Sequence, residues 1–177
     1  DMSAMIQYFY SVDDYNGDFN EYDTGSYAWR LYLRKDFADN FTGRIYGEYA
    51  REDAQGDIAA TSRLESDPSR KIWKVDLRGT WDITSRLQMY LQYGIWFIDY
   101  TTGHPLSADP YHAGRDDIFQ HIDWYTAYDL TKNIKAFLSY QYAVKDAEPA
   151  SSELGVLDAA ILGYERHQVS LGIKYTF

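Results

Sequence analysis

Cysteine is absent from the 177-residue sequence, so neither a disulfide bond nor a thiolate-bound metal is encoded. A long hydrophobic run is also absent: mean hydropathy is −0.52, and the longest apolar stretch covers only residues 93–98. A transmembrane helix, which needs about eighteen or more apolar residues, is therefore excluded. Hydropathy does not exclude a protein that crosses a membrane with strands, because only every second strand residue must then be apolar.

Basic residues are outnumbered, with 17 lysines and arginines against 27 aspartates and glutamates, which gives a net charge of −10. A nucleic-acid partner is not expected, because phosphates require a basic surface. The acidic residues concentrate in residues 13–23, 52–67 and 146–158. The sequence predicts that these segments are loops and that they form a negative cap at one end of the molecule.

Aromatic residues are abundant, with 18 tyrosines, five tryptophans and eight phenylalanines. In the final segment they follow a strict alternation of apolar and polar residues. The apolar set there is Val169, Leu171, Ile173, Tyr175 and Phe177. Because successive side chains of a strand point to opposite faces, this pattern predicts a β-strand with one face against lipid or against a hydrophobic core.

Three short segments resemble one another, at residues 36–41, 82–87 and 129–134, spaced 46 and 47 residues apart. Each begins with aspartate and has asparagine, aspartate or serine near its end. Side chains of this kind bond the local backbone and favour tight turns. Each segment is flanked by alternating sequence, so a β-hairpin is predicted to recur along the chain.

Extending outward from these turns gives eight antiparallel strands. They are predicted near residues 4–12, 26–35, 41–51, 71–81, 87–99, 117–128, 134–144 and 165–177. The remaining connections are long and rich in aspartate, glycine, serine and proline, at residues 13–25, 52–70, 100–116 and 145–164. Short and long connections therefore alternate, with both chain ends on the short-turn side. Residues 1–177 are predicted to form a single all-β domain.

Alternation does not say which face is inside, because a soluble ligand-binding barrel would show the same pattern. The volume of the barrel interior decides whether the apolar row faces inward or outward. An eight-stranded barrel has an interior just wide enough for its own side chains, and the apolar row carries four tryptophans, several tyrosines and many aliphatic residues. These cannot all fit inside. The sequence therefore predicts an eight-stranded antiparallel up-and-down transmembrane β-barrel with its apolar row facing lipid.

The tryptophans of the apolar row are candidates for membrane-interface residues, and they are Trp29, Trp73, Trp81 and Trp124. Trp73 and Trp81 are eight residues apart on one face. With the usual rise and tilt, this spacing covers roughly 20 Å of the membrane normal, close to the apolar band of about 25 Å in outer-membrane barrels. The alternative is that aromatic residues simply favour strands.

The strand count, the turns beginning with aspartate, the long acidic loops and the ending Tyr175-Thr176-Phe177 resemble the small bacterial outer-membrane barrels of the OmpA and OmpX type. The resemblance implies a Gram-negative outer membrane, periplasmic chain ends and extracellular long loops. It also implies that the barrel-assembly machinery recognises Leu171, Ile173, Tyr175 and Phe177. The last strand is similar to that of larger porin-like barrels too, so a truncated or multi-chain barrel remains an alternative.

The opposite, inward row carries charged residues that are predicted to form a polar network in the lumen. They are Arg30, Arg44, Glu48, Lys74, Asp76, Arg78 and Asp123. Charges in a narrow lumen must pair or retain water, so a structural salt-bridge plug is expected, with a gated ion path as the alternative. Arg34, Lys135 and Lys174 lie nearer the short turns without obvious acids, which predicts that a path would favour anions at that end.

Enzymatic and metal sites are not predicted. Glu165, His167 and Ser170 are close in sequence, but His167 and Ser170 differ in parity and so cannot meet as base and nucleophile. His104 and His112 lie in an acidic, proline-containing loop, where solvated polar residues are the favoured interpretation over metal capture. Residues 14–20 alternate carboxylate and amide oxygens but lack the glycine and the closing glutamate of an EF-hand. No cofactor is expected.

The sequence therefore favours a noncatalytic outer-membrane barrel with a structural or surface-interaction role. Its acidic external loops are expected to meet outer-membrane lipid and lipopolysaccharide, and the apolar residues of 58–64 and 154–162 are candidates for docking a protein partner. Two alternatives remain open. One is a small porin-like pore for ions or small solutes, and the other is a subunit of a larger export or secretion channel.

Overall fold

The computed structural model of the protein describes residues 1–13, 24–54, 67–148 and 163–176. These residues form one antiparallel sheet of eight strands, arranged in sequence order from one edge to the other. The strands are β1 (Met2–Asp13), β2 (Thr24–Ala38), β3 (Phe41–Ala54), β4 (Arg70–Asp82), β5 (Leu87–Tyr100), β6 (Asp116–Asp129), β7 (Ile134–Glu148) and β8 (Tyr164–Tyr175). All eight predicted strands and their up-and-down order are thus confirmed. Whether the whole of residues 1–177 forms one domain stays a prediction.

Strand pairing is regular along all seven interfaces, and the register shifts only between Asp36 and Ala38. Residues directly opposite one another across an antiparallel pair share a face. The predicted division of each strand into two faces therefore continues from strand to strand across the sheet. No helix in the described part of the chain has the length and hydropathy needed to cross a membrane.

Two of the three short turns are closed by threonine rather than by the initial aspartate. Thr84 Oγ1 accepts a hydrogen bond from Leu87 N at 3.0 Å, and Thr131 Oγ1 accepts one from Ile134 N at 3.1 Å. The aspartates instead bond neighbouring side chains: Asp36 accepts from Thr42 Oγ1 at 2.8 Å. The turn prediction was correct in position but assigned the backbone contact to the wrong side chain in these turns.

The sheet is not closed. In the described residues, β1 pairs only with β2 and β8 pairs only with β7, so both edges of the sheet are unpaired. The structure differs here from the predicted eight-stranded barrel. The physical reason is that alternation fixes which face a side chain occupies, whereas the number of strands needed to close a sheet depends on its curvature and stagger.

The two faces of the sheet differ in burial. We call the face that carries Glu48 and His121 the polar face, and the face that carries Trp73 and Leu77 the apolar face. Every buried residue within the described strands lies on the polar face, and apart from Gly94 the set is Ala28, Glu48, Ala50, Ile72, Asp117, His121, Ala127, Ala143 and Ala147. Trp73 and Leu77, by contrast, are 57% and 49% exposed. The sheet thus exposes its hydrophobic side.

Candidate functional site

The polar face contains a carboxylate held between two cations. Arg30, Glu48 and Lys74 are directly opposite one another on β2, β3 and β4. Glu48 Oε2 accepts from Arg30 Nε at 2.6 Å, and Glu48 Oε1 lies 2.7 Å from Lys74 Nζ. The Tyr46 hydroxyl donates to the same carboxylate. The Glu48 side chain is only 4% exposed, so these contacts replace the water that an ionised carboxylate requires.

A second cluster is centred on His121 of β6. Its Nε2 lies 2.9 Å from Asp76 Oδ1, and its Nδ1 lies 2.7 Å from Asp123 Oδ2. Ionised carboxylates only accept hydrogen bonds, so both contacts are satisfied together when both ring nitrogens carry hydrogen. His121 therefore links two acids that lie on different strands.

Gly94 makes this link sterically feasible. Asp76, Gly94 and His121 are directly opposite one another on β4, β5 and β6. A Cβ atom at Gly94 would come within 2.0 Å of Asp76 Oδ1 and 2.1 Å of His121 Nε2. The missing side chain lets the β4 and β6 side chains meet above β5.

The His121 cluster continues towards the β8 edge. Gln141 Nε2 on β7 donates to Asp123 Oδ1 at 2.6 Å, and Arg166 Nη2 on β8 donates to Gln141 Oε1 at 2.8 Å. A single chain of side-chain contacts therefore crosses five strands, from Asp76 on β4 to Arg166 on β8.

Towards the short turns, the polar face carries a row of arginines. Arg34, Arg44 and Arg78 are directly opposite one another on β2, β3 and β4. Arg34 pairs with Asp36 at 3.1 Å, and Arg78 Cζ lies 3.7 Å from the centre of the Tyr90 ring. The row lines an open cavity of about 670 Å³. We call these three residues the arginine row.

At the opposite end, residues 101–115 fold against the polar face. Arg115 donates to Asp117 from Nε at 2.7 Å and from Nη2 at 2.6 Å. Lys145 Nζ lies 2.7 Å from the same carboxylate, which is fully buried. Tyr111 also packs against Ala147, so the connection between β5 and β6 is held over the polar face by both ionic and apolar contacts.

Asp67 fixes this connection to the segment that precedes β4. Its Oδ1 accepts from Ser69 N at 2.9 Å and its Oδ2 accepts from Gly103 N at 3.3 Å. Burial raises the pKa of the Asp67 carboxyl, but the hydrogen bonds from Ser69 and Gly103 outweigh this effect and hold the pKa below its usual value. The ionised Asp67 carboxylate therefore stabilises the attachment of the β5–β6 connection to the segment before β4.

The structure divides the predicted lumen network into separate groups. Arg30, Glu48 and Lys74 form one cluster, Asp76 and Asp123 belong to the His121 cluster, and Arg44 and Arg78 belong to the arginine row. The prediction omitted His121, Gln141, Arg166 and Tyr46. Gly94 in the middle of a strand was the available signal, because glycine there marks a close approach of neighbouring groups.

One expectation about the short-turn end is wrong. Arg34 and Lys135 do have acidic partners: Arg34 bonds Asp36, and Lys135 Nζ lies 3.3 Å from Asp129. In both cases the acid is the aspartate that begins a short turn. Among the residues described, Lys174 has no ion pair.

The predicted interfacial tryptophans all lie on the apolar face. Trp29 contacts Tyr8 with ring centroids 4.8 Å apart, and Trp73 contacts Tyr49 at 4.4 Å. Trp29 and Tyr49 are directly opposite each other, so aromatic rings follow one another from β1 to β4. Trp81 stacks on Phe41 with ring centroids 4.8 Å apart, and Trp124 is directly opposite Leu91 and Tyr140 in the strand register. A membrane-interface position for them stays a prediction.

The predicted assembly signal lies on the unpaired β8 edge. Leu171, Ile173 and Tyr175 are 82%, 72% and 54% exposed. Phe177 lies outside the described residues. Recognition by the assembly machinery stays a prediction.

Two of the three histidines considered for catalysis or metal binding have other contacts, whereas His104 Nδ1 is buried and has no hydrogen-bond partner in the described residues. His167 Nε2 lies 3.2 Å from Glu165 Oε1 and its Nδ1 lies 2.8 Å from the Tyr140 hydroxyl, whereas Ser170 is on the opposite face. His112 Nδ1 lies 3.2 Å from Asp109 Oδ2. Within the described ranges, no group of three or more potential metal ligands is placed to hold an ion.

Three segments considered in the sequence lie outside the described residues. They are the oxygen-rich residues 14–20 and the candidate partner-binding residues 58–64 and 154–162. The expected absence of enzymatic activity and of a cofactor stays a prediction.

In comparisons with protein-family models, with curated proteins and with solved structures, no match to this chain was found.

Proposed function

We propose that this chain forms part of the wall of a Gram-negative outer-membrane β-barrel with more than eight strands. Its apolar face contacts lipid, and its polar face lines a water-filled passage for small solutes. The protein is noncatalytic. This combines the two alternatives left open by the sequence, a porin-like pore and a subunit of a larger channel, and it is preferred because it accounts for both the exposed apolar face and the open edges of the sheet.

The inverted distribution of hydrophobic residues is the observation that carries the proposal. Trp29, Trp73 and Val75 are exposed, whereas Glu48, Asp117 and His121 are buried on the other face. In water this arrangement costs free energy, because large contiguous apolar patches are rarely left exposed on soluble monomers. In a bilayer the same side chains contact acyl chains, and the polar residues face the aqueous interior.

The unpaired edges support a barrel wider than eight strands. Backbone N–H and C=O groups without partners are too costly in hydrocarbon, so both β1 and β8 must pair in the membrane. An eight-stranded barrel has an interior that its side chains fill. The polar face carries arginines and lysines together with the rings of Tyr32, Tyr46, Tyr90, Trp96, Phe119 and Tyr125. A wider circumference leaves room for these groups and for water.

The orientation follows from the two ends of the sheet. Asp36 N donates to Asp1 O at 2.9 Å, and Thr176 N donates to Asn133 O at 3.0 Å, so the first and last described strands meet the short turns. Short turns face the periplasm and long connections face the outside in outer-membrane barrels. We assign the short-turn end to the periplasm, where the barrel-assembly machinery would recognise β8.

Reconstitution tests the proposal. The purified protein, refolded in detergent and added to a planar bilayer, is expected to give stepwise ion conductance. A heat-denatured sample is the matched control and should give none. A closed assembly of the protein that inserts into lipid without conductance would contradict the passage, and a compact monomer that is soluble in plain buffer would contradict the membrane location.

A second candidate is the surface-interaction role, and the charges at the long-connection end favour it. Asp99, Asp116 and Glu148 are directly opposite one another on β5, β6 and β7. Such a row would attract divalent cations, which link acidic protein groups to lipopolysaccharide phosphates.

A lipopolysaccharide-binding assay tests the surface-interaction role separately from the pore. If the surface role is correct, the folded protein will retain purified lipopolysaccharide in the presence of Mg²⁺ and release it after chelation. The variant Asp116→Asn should weaken retention, whereas Asp53→Asn, at an exposed position of β3, should not. Retention of lipopolysaccharide that is independent of Mg²⁺ would argue against the surface-interaction role.

A further inference from the structure

We propose that Arg44 and Arg78, with Arg34 beside them, bind a multivalent anion that carries carboxylate or phosphate groups. The site lies on the polar face near the short turns. The inference rests on the proposed function, since it assigns a solute class to the passage.

The arginine row places three like charges on adjacent strands. Arg34, Arg44 and Arg78 are direct neighbours across the β2, β3 and β4 ladders. Like charges in directly opposite positions destabilise a sheet. An anion bound between them would offset this repulsion.

The nearby acids are already engaged by other groups. Asp36 is bonded by Arg34 and Thr42, Asp76 is bonded by His121, and Glu48 is held by Arg30 and Lys74. Within the part of the chain that the structure describes, neither Arg44 nor Arg78 forms an ion pair. No acid among the described residues therefore compensates their positive charge.

Arg78 is oriented by an aromatic ring rather than by an acid. Its guanidinium carbon lies 3.7 Å from the centre of the Tyr90 ring, a distance at which a cation is attracted to the ring face. Its Nε is buried and has no hydrogen-bond partner in the described residues. A planar guanidinium held in this way presents paired donors that match carboxylate and phosphate oxygens.

The space beside the row fits a small organic anion. The cavity has a volume of about 670 Å³, and its lining includes Arg44, Arg78 and Gln92. Asp76 also lines it, with its Oδ1 bonded to His121 Nε2 at 2.9 Å. Small-molecule sites in proteins usually have volumes of about 300 to 1,000 Å³. Gln92 adds an amide that can donate to a bound oxygen.

Titration calorimetry of the folded protein in detergent tests the site, with citrate as the carboxylate probe and pyrophosphate as the phosphate probe. The double variant Arg44→Gln with Arg78→Gln is expected to bind at least about tenfold more weakly, since two charged hydrogen-bonding groups are lost. The control is Arg51→Gln with Lys71→Gln. It removes two cations that are likewise directly opposite on β3 and β4 but lie on the apolar face at the other end.

The outcomes are distinct. Arginine-dependent binding of citrate alone, of pyrophosphate alone or of both supports the site and identifies its anion chemistry. Equal binding by the wild type and the double variant, equal weakening in the control, or no binding of either probe overturns it. Should the double variant fail to fold, Arg44→Gln alone, at an exposed position, must still weaken binding.

Calorimetry does not require a conducting passage, so the two proposals fail separately. Arginine-dependent binding by a protein that shows no conductance would reject the proposed passage alone. Conductance without arginine-dependent binding would reject the anion site alone.

Discussion

Gly94 is the residue on which the link between β4 and β6 depends. The variant Gly94→Ala would place a methyl group within 2.1 Å of both Asp76 Oδ1 and His121 Nε2, so these side chains must separate. We expect the free energy of unfolding to fall by about 1 to 3 kcal/mol, because buried polar groups lose their partners. Urea unfolding in detergent measures the change.

Gly47→Ala is the matched control for this prediction. Gly47 is also in the interior of a strand, but a Cβ there would meet only the carbonyl oxygen of Lys74, at 4.0 Å. The free energy of unfolding of the Gly47→Ala variant should be close to that of the wild type. Equal effects of the two substitutions would show that strand propensity, not the Asp76 to His121 contact, determines the loss.

Glu48 is the other residue with a large expected effect. Glu48→Gln keeps the size of the side chain but removes the charge that compensates Arg30 and Lys74. Removing one partner of a fully buried pair costs about 3 to 5 kcal/mol. Because both cations are partly exposed, we expect a loss of about 2 kcal/mol in the free energy of unfolding.

Urea unfolding also checks this prediction. Asp53→Asn breaks the exposed pair with Arg51, at 2.8 Å, and serves as the control. Exposed pairs contribute about 0 to 1 kcal/mol, so the control should be little affected. A Glu48 variant as stable as this control would show that the cluster does not stabilise the sheet.

At the scale of the strands, the two faces should differ in their contact with lipid. Trp73 and Trp96 are both on the middle strands, but Trp73 is on the apolar face and Trp96 is on the polar face opposite Lys74. In proteins that retain only one tryptophan, brominated acyl chains should quench the fluorescence of Trp73 strongly and that of Trp96 weakly. The reverse order would mean that the apolar face is turned inward.

The attachment of the β5–β6 connection to the segment before β4 should depend on pH through Asp67. Its folded-state pKa lies below the usual value of an aspartate carboxyl, so the carboxylate stabilises the fold above the unfolded-state pKa. This stabilisation is lost as the pH falls through the folded-state pKa. The amide NMR signals of Ser69 and Gly103, which donate to Asp67, should therefore shift only as the pH falls below the usual pKa of an aspartate carboxyl.

Asp67→Asn should abolish that pH-dependent shift, since no carboxyl titrates at this position. Asp146→Asn, at an exposed position of β7, should leave it unchanged. A transition that persists in the Asp67 variant would assign the titration to another group.

For the molecule as a whole, disulfide trapping can measure closure, because the chain has no native cysteine. Ala4 and Leu33 are directly opposite on β1 and β2, so Ala4→Cys with Leu33→Cys should crosslink on oxidation and serves as the positive control. If the barrel has more than eight strands, Ala4→Cys paired with a cysteine at position 169, 171 or 173 should not crosslink within one chain. An efficient intrachain crosslink would indicate an eight-stranded barrel.

Much of the candidate site could be anticipated one residue at a time but not as a set of contacts. The parity of Arg30, Glu48 and Lys74 places them on one face, and their pairing follows once adjacent strands are aligned. The contact between Asp76 and His121 was missed because it spans two strands, and the sequence pattern gives no distance between strands that are not neighbours. Arg44 was expected in the salt-bridge network, but its opposite neighbours are Arg34 and Arg78, and it forms no ion pair within the described residues.

The sequence by itself determined the eight strands, their short turns and the two faces of the sheet. These features depend on the two-residue period of a strand and on local turn chemistry, both of which are written in consecutive residues. Only the tertiary structure decided that the sheet stays open, that the buried groups share the polar face and that His121 rather than an arginine joins Asp76 to Asp123. Curvature and contacts across intervening strands arise from the packing of all the strands together.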